Sequence, residues 1–425
     1  MSDADVNNFP QLFRLRQTFQ GPAVDDLVGE VHRQLGSLNL EKKISPGQTV
    51  AITVGSRGIA NIPAITKAIV DFVRELKAEP FIVPAMGSHG GATAEGQIQV
   101  LKSLGVTEAT CGCPIRSSMD TVVVTKAEEG FEVHFDREAF EADHVIVCGR
   151  IKLHTDFRGE IQSGLMKMML IGLGKQRGAS IYHKAFQDYS FDQIVRSVSA
   201  DVVKHCRIAA GLALVENGYE QTAIIEAVEP EKIETREPEL LKLADQWMAR
   251  LPFDDIDLLI VDEIGKNISG TGMDTNVVGR KRNENSATDI EKPRIKKILV
   301  RSLTEATHGN ATGIGVADFT TQSVVDEMDY VKTSVNCVTS GRTAVGNIPI
   351  CFATDEQTIR AALDTIGLVP GPDARVVRIK NTLHLEEMLC SRALLQEAEQ
   401  RDGAEIVSEL TEMKFNDKGA LVDAG

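Results

Sequence analysis

No run of about 18 uninterrupted apolar residues occurs in the 425-residue chain, so the sequence predicts no transmembrane helix. The opening MSDADVNNFPQ has neither the basic nor the apolar stretch of a signal peptide, and none is expected. Positive charge is in deficit: 46 Lys and Arg stand against 61 Asp and Glu, a net charge of −15. A surface of that sign repels phosphate polymers and anionic lipid at long range. Neither nucleic acid nor a membrane is therefore an expected partner. The seven cysteines are an odd number without framework spacing, apart from a lone C-x-C at Cys111 and Cys113. They read as reduced, mostly buried thiols of a cytoplasmic protein. Internal repeats and low-complexity runs are also missing.

What remains is ordinary globular composition, 42% hydrophobic and 25% charged, which excludes disorder as the main state. The length suggests two or three domains at roughly 100–200 residues each. Along the chain, short apolar runs alternate with glycine-bearing loops and amphipathic segments. Strands are predicted at 50–54, 81–83, 145–148, 210–215, 222–228, 258–261, 298–300, 314–319 and 375–379, with a hairpin at 122–125 and 132–135. Helices are predicted from Pro63 to Leu76 and over 93–104, 164–173, 191–206, 237–251, 323–333, 356–368 and 385–399. Pro252 and the acidic Asp254-Asp255 mark a boundary between domains 1–252 and 253–425. Strands alternating with helices imply two α/β domains with mostly parallel sheets.

Four loops each follow an apolar strand: 55–58, 85–91, 149–158 and 265–272. Ligands of open parallel sheets bind beyond the carboxyl ends of the strands. These loops supply Arg57, His89, Lys152, His154, Arg158, Lys266 and Asn267, a basic and imidazole-rich set in an acidic protein. That set points to a small anionic substrate. Glycine after a strand is also plain turn chemistry, so the signal rests on the group. Lys167 interrupts the apolar Leu165-Met166-Lys167-Met168-Met169-Leu170-Ile171. A lysine there either reaches solvent or is buried to serve as a nucleophile or covalent anchor. His183, in Ser180-Ile181-Tyr182-His183-Lys184, follows the glycine-broken segment 172–178.

Gly87-Ser88-His89-Gly90 after one strand, Leu153-His154 after another, then Lys167 and His183, resemble the nickel-pincer lactate racemase family. The interval of 16 between Lys167 and His183 (183 − 167) fits that family's lysine-to-histidine spacing. The stretches 151–174 and 261–272 also look like a related group of uncharacterised proteins.

The resemblance implies two α/β domains with the active site in the cleft between them. It implies a nickel-pincer nucleotide, a pyridinium mononucleotide carrying nickel through sulfur and carbon. Lys167 would anchor it, with Gly87, Ser88 and Asn267 also binding it, and His183 would ligate the metal. His89 and His154 would be the acid/base pair, Arg57 would hold the substrate carboxylate, and Lys266 would assist substrate binding. Cofactor-biosynthesis proteins would be partners. The implied reaction is racemisation or epimerisation of a 2-hydroxy acid.

Val54-Gly55-Ser56-Arg57-Gly58 lacks the acid and the proline usual in the family's first loop, and Ser163-Gly164-Leu165-Met166-Lys167 replaces its Gly-Gly-Arg-Lys. The tryptophan near that family's substrate has no match here, because the only one, Trp247, sits in the charged helix before the boundary. A substrate other than lactate, larger or more polar, is therefore expected. Two other readings compete. One is a metal-dependent hydrolase with zinc or a similar ion on His89, His154 and His183. The other is a non-catalytic phosphate- or nucleotide-binding protein using the glycine loops.

Overall fold

The computed structural model describes residues 9–56, 58–281 and 292–422. It divides into two compact units. One is Gln20–Met248; the other is Ala249–Gly425 together with the N-terminal segment through Phe19. The sequence suggested a single division at 252; in the fold the chain passes between units twice.

The first unit is built on a five-stranded sheet. Its order is Glu79–Pro84, Thr49–Val54, His144–Arg150, Ile208–Glu216, Thr222–Val228. The first four strands are parallel and the last is antiparallel. Both faces are covered, as a parallel sheet requires. Val50, Ile52 and Val54 join one core, with the helices Leu27–Ser37, Ile62–Glu75 and Ala94–Ser103. Ala51, Val145 and Val147 join the other, with the helices Phe191–His205 and Ile233–Trp247. The hairpin Thr121–Lys126 and Glu132–Asp136 extends that second layer.

Local chemistry explains several of these elements. Pro63 lies in the first turn of Ile62–Glu75, where its missing N–H costs nothing. Ile65, Ile69, Val70, Phe72 and Val73 turn inward from that helix. Thr93 caps Ala94–Ser103 by accepting from Gly96 N at 3.0 Å. Two expected elements differ. The segment 164–173 is a single α-turn, Leu165–Lys167, followed by a π-helical stretch, Met168–Gly172. The helix Lys175–Ala185 follows directly, so the glycines at 172–178 introduce a helix rather than break one.

The second unit holds a nine-stranded sheet. Ile350–Phe352, Phe319–Thr321, Arg294–Val300, Asp255–Val261 and Val376–Ile379 run parallel. Glu387–Ser391, Gln11–Gln17, Ala404–Ile406 and Thr411–Glu412 add antiparallel pairings. The expected α/β class holds, but this sheet is mixed rather than mostly parallel. The expected helix over 385–399 is wrong at its start, because Glu387–Ser391 pairs with strands on both sides and buries Met388, Leu389 and Cys390. Pairing and burial override helix propensity there. The expected strand at 314–319 is a 3-10 turn, Ile314–Val316, before the short strand Phe319–Thr321. The expected helix at 323–333 is two helices, Gln322–Glu327 and Tyr330–Thr339.

Candidate functional site

In the first unit the chain leaves Thr49–Val54 to form a strand on one side, Glu79–Pro84, and later one on the other, His144–Arg150. That reversal is a topological switch point, where open α/β sheets bind ligands beyond the strand ends. The loops 55–58, 85–91 and 149–158 follow these three neighbouring strands. These three strands are parallel neighbours, so their three loops share one rim. The fourth loop, 265–272, follows Asp255–Val261 in the other unit.

The helical segment 165–172 lies against these strand ends. A Cβ on Gly55 would lie 3.5 Å from Met168 Cε, and one on Gly149 would lie 2.8 Å from Met168 Cγ. Gly87 N donates to Gly172 O at 3.2 Å, and a Cβ on Gly87 would lie 3.1 Å from Ile171 O. Glycines at the ends of three strands thus let one helical segment approach all of them. Lys167, half-buried, is carried on that segment.

Glu237 fixes its start. This buried carboxylate accepts from Met166 N at 3.0 Å, and a Cβ on Gly164 would collide with it. Burial pushes the Glu237 carboxyl up to about 7, against the pull of the Met166 and Leu165 amides.

His183 lies on the helix Lys175–Ala185. Its pKa is pushed down to about 4, chiefly by burial and secondly by the charge of Lys167. The imidazole is therefore neutral at ordinary pH, with a lone pair free of a proton, and the lysine is close enough to be felt.

His154 is held by its own loop. Asp156 N and Phe157 N donate to its Nδ1 at 3.0 and 3.3 Å, and His154 N donates to Gln162 Oε1 at 2.8 Å. Backbone N–H groups only donate, so Nδ1 is an acceptor and the neutral ring carries its proton on Nε2. The ring stacks on Phe157 at 4.6 Å; Phe157 meets Phe186 at 5.2 Å, and Phe186 meets His183 at 5.5 Å. His154 and His183 are thus joined to one aromatic cluster.

His89 is exposed on the glycine loop, and its Nδ1 hydrogen-bonds Ser56 Oγ beyond the neighbouring strand. Gly87 and Ser88 belong to the same loop. Arg57, the expected carboxylate anchor, lies outside the described residues. Next to it the loop is secured by Glu216, which accepts from Ala60 N at 2.7 Å and is ion-paired with Arg150. In the second unit Lys266 Nζ donates to Gly270 O at 2.6 Å, and Thr304 Oγ1 donates to Asn267 Oδ1 at 2.6 Å.

His154 is therefore joined to His183 through aromatic rings, His183 feels the charge of Lys167, and His89 is tied to the adjacent strand end. Among the described residues no three His, Cys, Asp or Glu side chains are grouped to hold a metal ion. The expected alternative of a three-imidazole hydrolytic centre on His89, His154 and His183 gains no support from that arrangement. Sequence reasoning passed over Glu237, Glu216, Gln97 and Lys175. Only Lys175, a charge in the glycine-rich 172–178, carried a signal in the sequence.

Lys167 is thus carried on a helical segment at the ends of the switch-point strands, the place where open α/β sheets bind ligands. Residues 21–192 match the family model of the lactate racemase N-terminal domain. No curated protein matches the chain. Among solved structures, the lactate racemase apoprotein of Thermoanaerobacterium thermosaccharolyticum is similar at 16% identity and a TM-score of 0.45, over 67% of this chain and 69% of that one. A structural-genomics protein from Thermotoga maritima is similar at 14% identity and a TM-score of 0.49, over 77% of this chain and 82% of that one. Among the described residues no helix is long and apolar enough to cross a membrane.

Proposed function

We propose that the protein is a racemase or epimerase of a 2-hydroxy acid that works with a nickel-pincer nucleotide. The observation that carries this reading is Lys167, set on a helix at the switch point of a unit that matches the lactate racemase N-terminal domain, with the neutral His183 feeling its charge. The residues suit such a group. An uncharged imidazole offers the lone pair that a nickel ion needs, and the lysine amine is a site for covalent attachment. In this reading Lys167 anchors the nucleotide, His183 ligates the metal, and Gly87, Ser88 and Asn267 complete its binding. When bound, the group supplies an electrophile that accepts and returns hydride, which protein side chains do not supply.

The chain's own residues do the rest. The Cα–H of a 2-hydroxy acid is a poor acid beside a carboxylate, so its loss as a proton is costly. Loss as hydride, with the hydroxyl proton taken by a base, avoids a dianion. Inversion then needs a base on either side of a planar 2-keto acid, and imidazoles suit that task near neutral pH. His89 and His154 are assigned those roles. In the neutral His154 ring Nε2–H can donate a hydrogen bond to the substrate oxygen, while Nδ1 is held by the Asp156 and Phe157 amides. Arg57 grips the carboxylate bidentately and fixes the reacting carbon, and Lys266 assists substrate binding. The aromatic rings of Phe157 and Phe191 beside His154 keep water from one side of its ring.

Chiral chromatography of single-enantiomer 2-hydroxy acids tests the activity, on protein co-expressed with the cofactor-making enzymes. Interconversion that needs those enzymes supports the reading. A loaded protein that leaves every such enantiomer unchanged refutes it.

A further inference from the structure

Behind the His89 loop lies a buried polar cluster that the proposed mechanism does not use. Lys175 is fully buried. Its ammonium donates to Pro84 O at 2.9 Å and to Gln97 Oε1 at 2.7 Å, and pairs with Asp136, also fully buried, at 3.2 Å. An ammonium only donates, so Gln97 must present its oxygen to Lys175. Its amide nitrogen then faces the loop, where Nε2 donates to Gly87 O at 2.9 Å and reaches His89 O at 3.4 Å. Lys175 thereby sets which way Gln97 points.

The loop needs such support. Gly87, Gly90, Gly91 and Ala92 all have positive φ, and the His89 side chain is exposed. Lys175 itself has φ +53, a costly conformation for a residue with a side chain. It is also the first residue of the helix that carries His183. Its backbone therefore starts one proposed functional element, and its side chain reaches the other through Gln97.

We propose that Lys175 and Gln97 form a positioning strut that holds the His89 loop in register with the helix bearing His183. The inference takes the roles of His89 and His183 from the proposed function, but the strut is testable without turnover. Removing it frees the carbonyls of Gly87 and His89, so the loop opens more often while the sheet beneath stays closed.

Amide hydrogen exchange on the full-length protein without cofactor tests this directly. In Gln97→Glu the carboxylate still accepts from Lys175 but can no longer donate to the loop. Exchange at residues 86–92 should quicken about tenfold, with strands Thr49–Val54 and His144–Arg150 unchanged. Lys175→Met with Asp136→Asn separates positioning from bulk stability, because removing both charges leaves no orphan ion and the amide oxygen still caps Ala139 N. Overall stability should recover in that pair while exchange at 86–92 stays fast. Loop exchange at the wild-type rate in folded Gln97→Glu would overturn the strut. In the loaded enzyme, Gln97→Glu should lower kcat by up to about 100-fold, with KM within about threefold and Lys167 still modified. An unchanged kcat would also overturn it. A wild-type enzyme without racemase activity would refute the proposed function and leave the exchange result to decide the strut.

Discussion

His154 and His89 are held in different ways, and the difference shapes what each substitution should do. His154 has its Nδ1 fixed by two backbone amides and its ring stacked on Phe157. His89 relies on its backbone and on Ser56. Replacing either by Gln should cut racemisation by about 100- to 10,000-fold, and peptide mapping should still find Lys167 modified. Loss of the modification in both variants would make these histidines cofactor-site residues instead of acid/base groups. Glu237 gives a second prediction. Its carboxyl rises from the ordinary 4.5 to about 7 in the fold, so the native state binds its proton more tightly than the unfolded chain. Its contribution is full below about pH 4.5 and is lost as pH rises through about 7. Glu237→Gln, uncharged throughout, should gain on the wild type by as much as about 3 kcal/mol across that window. Urea unfolding at several pH values reads this; a constant difference between the two proteins would show that Glu237 does not titrate there.

At the scale of elements, the strands and loops of the first unit were legible because apolar runs, glycines and Pro63 act locally. The rim was legible for the same reason, since each glycine loop directly follows its strand. Three things were not. The strand Glu387–Ser391 owes its state to partners at Gln11–Gln17 and Val376–Ile379, far away in sequence. The π-helical turn Met168–Gly172 reflects close packing of the segment against strand ends at Gly55, Gly87 and Gly149, and no periodicity encodes that. Gln97 looks like any helix-surface glutamine until Lys175 is seen to face it. The close packing yields a prediction. Gly87→Ala would place a Cβ 3.0 Å from Ile171 Cγ2 on a backbone with φ +60. It should cost roughly 1–3 kcal/mol and lower modification of Lys167, read by denaturant melts and by mass. Wild-type stability in this variant would mean that the helical segment can shift without cost.

At the scale of the whole molecule, charge sets the problem. Under the proposed function a chain of net charge −15 takes an anionic substrate, so cations must be gathered locally at the site. Arg57 and Lys266 are assigned to that task, and the second, on the unit formed mainly by residues 249–425, can be tested independently of the first. Lys266→Ala should raise KM for the 2-hydroxy acid at least about tenfold, with Lys167 modified as in the wild type. An unaltered KM in steady-state assays would remove Lys266 from substrate binding.

The claim on which all these roles depend is that Lys167 carries the cofactor. Intact mass under denaturing conditions, followed by peptide mapping, measures it on protein co-expressed with the cofactor-making enzymes. An adduct of nucleotide mass confined to the peptide containing Lys167, and lost in Lys167→Ala, is the expected outcome. A bare Lys167, in a preparation where a lactate racemase handled in parallel is modified, would overturn covalent anchoring and the mechanism built on it.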